Sequence, residues 1–400
     1  MSRIPRLVLK EGREKPVLHR HPWIFSGAIL NQEGDPEPGA IVEITDSQGG
    51  FLAWGAFSPT SQIRTRIWSW DPGQIIDAEF FRNRLERSIA YRNKIGYDHE
   101  MRRLVHAESD GIPGLIVDQY GSYLVVQILS AGVEYWREVI VGQLADLINP
   151  SGIYERSDVE VRKLEGLDKR TGTLSGIMPE EMLLIREGGL QYWVDFRKGH
   201  KTGAYLDQRL NRELVGAQCR DLSVLDCFCY TGGFSVQALR HGAASITLLD
   251  NSAEALTLAS KHIQANDLDH GKVDYQQGDV FELLRGFRDR GMSYDVIILD
   301  PPKFAPTAAM AQRAARGYKD INLLAMKLLN PGGLLATFSC SGGISRDFFL
   351  RILSGAALDA GVNARIQSHM GQSMDHSVNL SFPEGTYLKG FGIRVEKEEV

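Results

Sequence analysis

The sequence predicts an α/β protein in three zones: an N-terminal small β-barrel, a central α+β domain, and a C-terminal Rossmann-like domain built on a doubly wound parallel sheet. Three observations predict it. At about 150 residues per domain, a chain of 400 residues holds two or three domains. The first 70 or so residues read as short alternating runs. From Leu222 onward, short apolar runs alternate with helical segments, and each run ends in an acidic, glycine-bearing or cysteine-bearing turn.

Residues 1–73 form the first zone, with strands expected over Ile41–Thr45, Phe51–Phe57 and Ile63–Trp70. The Asp71-Pro72-Gly73 break opens the second zone, 74–187. There Phe81, Leu85 and Ile89 recur every four residues, as one face of a helix requires. A hairpin (Leu115–Asp118 with Tyr123–Leu129) and one helix carrying Val133, Trp136, Ile140, Leu144 and Leu147 are expected next. The third zone, 188–400, follows a hairpin between Met182 and Phe196. Its five buried strands are Val224–Leu225, Ile246–Leu249, Val273–Tyr275, Val296–Leu299 and Leu334–Phe338.

Composition narrows the function. With 43% apolar and 24% charged residues the chain is globular rather than disordered, and a net charge of −5 excludes a protein that coats nucleic acid by charge alone. Four clustered cysteines are too few for a secreted disulfide framework, and Cys227 and Cys229 lack the partner ligands of a zinc site, so no metal is expected. The N-terminus lacks an apolar signal core and no stretch is long enough to span a bilayer, so a cytoplasmic protein with no membrane partner is expected.

Chemistry collects at the carboxyl ends of the five strands, the edge where open α/β sheets bind ligands. The first loop, Asp226 to Phe234, carries Phe228, Tyr230 and Gly232 ahead of a helix, and its aromatics crowd the space in which a pyrophosphate would be cradled. A phosphate-poor nucleoside fits better. Asp250 ends the second strand, where a carboxylate accepts from both ribose hydroxyls, and Asp279 follows the third, placed to accept from an adenine amino group. A ribose acid plus an adenine acid without phosphate apparatus describes S-adenosylmethionine, whose sulfonium also favours an acidic lining.

Asp300-Pro301-Pro302-Lys303-Phe304 follows the fourth strand and Ser339-Cys340-Ser341 the fifth. An Asp-Pro-Pro loop with a nearby aromatic is similar to that of enzymes that methylate exocyclic amines. A cysteine facing the same cleft suits a different acceptor: carbon 5 of a pyrimidine is a poor nucleophile and needs a thiolate added at carbon 6. An unperturbed thiol is only roughly 7% thiolate near pH 7.4, and lowering its pKa to about 7 makes roughly 70% available. A helix N-terminus and Lys303 are the groups at hand to do so. In this scheme Cys340 is the nucleophile and Asp300 holds the amino and ring-nitrogen edge of the base.

The motifs His21-Pro22-Trp23-Ile24-Phe25-Ser26-Gly27, Glu108-Ser109-Asp110-Gly111, His200-Lys201-Thr202-Gly203, Tyr205-Leu206-Asp207-Gln208-Arg209, Tyr230-Thr231-Gly232-Gly233-Phe234, Asp300 to Phe304, Gly317-Tyr318-Lys319-Asp320 and Ser339-Cys340-Ser341 run the length of the chain. In these the chain resembles the bacterial large-subunit 23S ribosomal RNA cytosine-5 methyltransferases that carry an N-terminal PUA domain. The resemblance implies a PUA-like first zone, a class I methyltransferase domain binding S-adenosylmethionine, Cys340 as nucleophile and 23S ribosomal RNA as partner. It also implies that Gln208 meets the cofactor. The chain departs from the broader RNA cytosine-5 methyltransferases in having no second cysteine after Asp300, so product release uses another base.

Residues 1–30 carry six Lys or Arg against two acids despite the acidic whole. Arg64 and Arg66 share one face of a strand, and with Trp23 they suit phosphate contact plus base stacking. Lys201 and Arg209, in a basic stretch before the third zone, are placed to line an RNA path, as is Lys303. An exocyclic-amine methyltransferase using the Asp-Pro-Pro loop, and a non-catalytic RNA-binding factor, remain open beside the carbon-5 reading. So do naked RNA or a partly assembled subunit as substrate, and a homodimer.

Overall fold

The computed structural model describes residues 4–96, 100–305 and 308–397; Arg3, counted in the basic N-terminal stretch, lies outside them. The chain divides into two compact units, one of residues 1–189, 194–206 and 374–385, the other of 190–193, 207–373 and 386–400. No helix among the described residues is long and apolar enough to cross a membrane.

The first unit opens with a six-stranded mixed sheet in the order Trp23–Phe25, Ile63–Ser69, Phe51–Phe57, Ile41–Thr45, Arg6–Leu9, Ile29–Glu33. The alternating runs of the sequence become these strands because Val42, Ile44, Ala53 and Ile67 all turn inward. A five-stranded sheet follows, in the order Arg170–Gly176, Gly152–Ser157, Tyr123–Ile128, Leu115–Tyr120, Met101–His106. The helix Ala78–Lys94 begins where the Asp77 carboxylate accepts from the Phe80 amide, and it buries Phe80, Phe81 and Leu85. Trp68 of the first sheet shares that core with Phe81, Val117 and Leu144.

One expected helix is two. Ala131–Tyr135 is capped by Ser130, and Arg137–Ile148 starts afresh after Trp136. Only Ile140 and Leu144 of the second are fully buried, a narrower stripe than the apolar spacing implied.

The second unit holds a seven-stranded sheet in the order Val273–Gln277, Ser245–Asp250, Ser223–Cys227, Tyr294–Leu299, Leu329–Ser339, Lys389–Glu396, Asn363–Met370. The first five are parallel, as the buried apolar runs predict. Lys389–Glu396 is antiparallel to both its neighbours and brings Lys389 opposite Ser339. Order reverses between Ser223–Cys227 and Tyr294–Leu299, and the crevice outside their carboxyl ends is where such sheets bind ligands.

Candidate active site

The first strand of this sheet ends in Asp226 and Cys227, and the chain then takes two bulky residues through left-handed conformations, Phe228 at φ 59° and Tyr230 at φ 49°. Such backbones are strained for large side chains and persist where the surroundings enforce them. Here the enforcing group is Asp250: one carboxylate oxygen accepts from the Tyr230 amide at 2.8 Å and the other from Ser252 at 2.9 Å. Gly232 caps the following helix at φ 71°, where an added Cβ would lie 3.0 Å from that of Ala259. The loop is therefore pinned in this conformation.

Asp226 lies beneath it, 1% exposed. Ser235 donates to one of its oxygens at 2.7 Å, and the other is buried without a hydrogen bond. Burial, and then the charges of Asp300 and Asp250, raise its pKa to about 7. Three carboxylates from the ends of three adjacent strands thus crowd one crevice, and a cationic ligand would relieve both their repulsion and the orphaned oxygen. S-adenosylmethionine, with its sulfonium and ammonium, fits this set. Asp226 is the acid that spacing arguments passed over, because a buried strand-end aspartate looks structural until its unmatched oxygen is seen.

Of the other expected cofactor residues, Gln208 is buried and its side-chain carbonyl accepts from Asn211 at 2.6 Å. Asp279 is exposed and caps the helix Val280–Asp289 by accepting from the Glu282 amide at 3.1 Å, which leaves its second oxygen for a ligand. Phe228 joins Phe281 and Phe304 in an aromatic cluster with ring centroids 6.0–6.5 Å apart.

The loops carrying Asp300 and Cys340 are tied together. Ser341 accepts from the Ala305 amide at 3.1 Å, and Gly343 donates to the Ala305 carbonyl at 3.2 Å. Tyr318, reaching up from the helix Ala311–Leu328, puts its hydroxyl 2.9 Å from the Ser341 Oγ and 3.0 Å from the Ser339 Oγ. It clips both serines that flank the cysteine, and Phe304 packs on its ring at 4.8 Å. Cys340 is half-buried, whereas burial pushes the thiols of Cys227 and Cys229 well up and that of Cys219 up to about 12. Those three are inert core.

Lys389 was not foreseen. Its Nζ donates to the Ser341 carbonyl at 2.8 Å, and the residue is 6% exposed. Burial lowers its pKa to about 8; the neighbouring Cys340 charge acts to raise it and Lys303 to lower it further. A cation is thereby held next to the cysteine by a strand distant in sequence. Lys303 itself is exposed.

The expected RNA contacts fare unevenly. Arg66 is 8% exposed and pairs with Glu165 at 2.8 Å and Glu108 at 3.6 Å, so it faces inward, not toward a phosphate. Strand alternation placed it on an outer face that the central zone covers. Trp23 donates to Glu108 at 2.8 Å and packs edge-on against Phe382 at 4.8 Å, an anchor rather than an open stacking platform. Arg64 is half-buried, bonded to the carbonyls of Ser58 and Pro59. Lys201 is exposed, its Nζ 4.3 Å from the Tyr205 ring centroid, while Arg209 is buried.

Comparison with known proteins agrees with this architecture. A model of a PUA-like domain matches residues 7–70, and a model of S-adenosylmethionine-dependent methyltransferases matches 162–367. A solved Streptococcus mutans structure described as a SAM-dependent methyltransferase superposes with a TM-score of 0.84 at 23% identity, covering 98% of this chain and 100% of that one. Another, described as a methyltransferase complexed with SAH, gives 0.86 at 24% identity over 98% and 100% of the two chains. These likenesses show the fold. Ribosomal RNA large subunit methyltransferase I of Cronobacter sakazakii is 48% identical over 394 residues, 98% of this chain and 99% of that protein. The Klebsiella pneumoniae protein of the same name is 48% identical over 398 residues, again 98% and 99%. Identity of this order along both whole chains, with the crevice built as described, shows that the chain belongs to the ribosomal RNA large subunit methyltransferase I family and is an S-adenosylmethionine-dependent enzyme.

Proposed function

We propose that the protein methylates carbon 5 of a cytosine in 23S ribosomal RNA through a covalent adduct on Cys340. The observation that carries this reading is a half-buried Cys340 flanked by Ser341, whose carbonyl holds the buried Lys389 ammonium and whose hydroxyl ties this loop to the Asp-Pro-Pro loop. Amine methylation needs no such thiol. The curated relatives act, by name, on large-subunit ribosomal RNA.

Lys389 favours the Cys340 thiolate, which adds to carbon 6 of the ring. Asp300 holds the amino and ring-nitrogen edge of the base and steadies the charge that builds there. Asp226, Asp250, Gln208, Phe228, Tyr230, Gly232 and Asp279 are the residues that would hold S-adenosylmethionine, which supplies the electrophilic methyl group. A general base then takes the carbon-5 proton, the pair of that C–H bond re-forms the C5–C6 double bond, and the Cys340 sulfur leaves carbon 6 with its electron pair as thiolate.

The test is Cys340→Ala. It should bind S-adenosylmethionine as wild type does and transfer no methyl group to RNA. RNA bearing 5-fluorocytosine should trap wild-type enzyme as an adduct on Cys340, because fluorine cannot leave as a proton. Near-normal turnover of the variant would hand the reaction to amine methylation at Asp300.

A further inference from the structure

The first unit contains a cavity of about 590 Å³ that the methyl-transfer chemistry does not use, lined in part by Arg20, Trp70, Arg84, Arg87, Ser109 and Leu380. That volume is in the range of about 300–1,000 Å³ typical of small-molecule and nucleotide-sized sites. Its acids are already matched: Glu108 takes Trp23 and Arg66, and Asp110 takes Arg92 at 2.6 Å. Its arginines are not. Among the described residues none of Arg20, Arg84 and Arg87 forms an ion pair, although Arg82 on the same helix pairs with Glu86.

Two of these cations, Arg84 and Arg20, are held in place. Arg84 and Arg87 stand three apart on the helix Ala78–Lys94 and so share a face. Arg84 donates to the Trp68 carbonyl at 3.3 Å and lies over the Phe80 ring at 5.1 Å. Gly111, at φ 73°, leaves room for its guanidinium, since a Cβ there would fall 2.2 Å from Nη1. Arg20 is fixed in the left-handed region at φ 64° with its guanidinium 5.4 Å from the Trp70 centroid. Burial and the charge of Arg87 depress the pKa of Arg84, a repulsion that an anion between them would relieve. At the rim Leu380 is 99% exposed, an apolar side chain with nothing to cover it.

We propose that this cavity is a second RNA site: Arg20, Arg84 and Arg87 clamp a phosphate of single-stranded RNA, and Leu380 packs against the adjoining base. Three guanidinium forks that have no carboxylate partner suit a phosphate, and an exposed leucine beside them suits a base face. The proposal rests on RNA being the substrate, and it assigns binding to residues other than Cys340, Lys389 and those of the crevice.

The test is binding of a 23S ribosomal RNA fragment by the full chain at several salt concentrations, with S-adenosylmethionine affinity measured alongside. Arg84→Gln with Arg87→Gln should weaken RNA binding about tenfold or more at low salt and reduce the salt slope by roughly 0.7 for each phosphate that the clamp no longer neutralises. Arg20→Gln and Leu380→Ala, both at exposed positions, should each weaken it severalfold without loss of fold. S-adenosylmethionine affinity should stay at the wild-type value in every variant. Wild-type RNA affinity and slope in all the variants would overturn the site while leaving the proposed reaction intact. A wild-type enzyme that binds no RNA would overturn both. Micromolar binding of free AMP, lost in the Arg84/Arg87 variant while RNA binding is unchanged, would make this a nucleotide-effector site and also overturn the proposal.

Discussion

Lys389 donates from its ammonium to the carbonyl of Ser341 at 2.8 Å, which fixes a buried cation one residue from the cysteine at the end of the neighbouring strand. The bond explains why the lysine stays where burial disfavours its charge. The neighbouring Cys340 charge also acts to keep the lysine protonated. With a pKa of about 8, Lys389 is charged below that pH and loses its charge as pH rises through it. Its support for the thiolate is therefore present at neutral pH, where an unassisted thiol is mostly protonated.

Lys389→Met should accordingly raise the pKa of Cys340 and so lower its thiolate fraction at neutral pH. The pH dependence of alkylation by iodoacetamide measures this, because the other three cysteines are buried. Lys389→Arg should restore much of the shift. A lysine that only buttressed the strand would lower the melting temperature of the Met variant and leave the alkylation profile unmoved.

Asp226 offers a second pH dependence, this one of stability. Its pKa rises from an ordinary 3.8 to about 7 on folding, so the stability tied to its neutral form is complete below 3.8 and is lost as pH rises through 7. Asp226→Asn removes that loss. The variant should gain on wild type in thermal melts as pH goes from 4 to 8, by up to about 4 kcal/mol, while binding S-adenosylmethionine more weakly. An equal melting difference at both pH values would show that Asp226 stays ionised throughout.

The sheet and the placement of Asp250, Asp300 and Cys340 were legible because buried parallel strands announce themselves as apolar runs, and the residues just past each run lie at one edge. Lys389 was not, and neither was the role of Tyr318, which stood only inside a motif. Lys389 comes from an antiparallel strand added after the parallel pattern ends, and Tyr318 from the buried face of a helix, where an aromatic reads as core. Arg66 was misread for a related reason: period-two alternation assigns faces without telling whether a second layer covers the outer one.

Arg66 instead bears on stability. Arg66→Ala would strand Glu165, whose side chain is 1% exposed, and breaking one side of a buried pair costs about 3–5 kcal/mol. Urea unfolding should show a loss of that order, and the salt dependence of RNA binding should match wild type at temperatures where the variant is folded. Unchanged stability with a shallower salt slope would return Arg66 to the RNA interface.

Asp250 ties loop shape to cofactor affinity, and its substitutions separate the two. Its oxygens each accept a backbone amide, from Tyr230 and from Ser252, and carboxylate oxygens have further lone pairs for ribose hydroxyls. Asp250→Ala should lose a charge-assisted acceptor worth about 1.5–3 kcal/mol, so S-adenosylmethionine affinity falls roughly ten- to hundredfold by calorimetry. Asp250→Asn presents one oxygen and one amide group to two donors, so it must turn an NH₂ toward one of the two backbone N–H groups. It should weaken binding as well and, because Tyr230 then loses its hold or Ser252 its turn, should speed proteolysis within the Tyr230–Ser252 stretch relative to wild type. If Asp250→Asn binds S-adenosylmethionine as wild type does, the ribose is held elsewhere and Asp250 serves the loop alone.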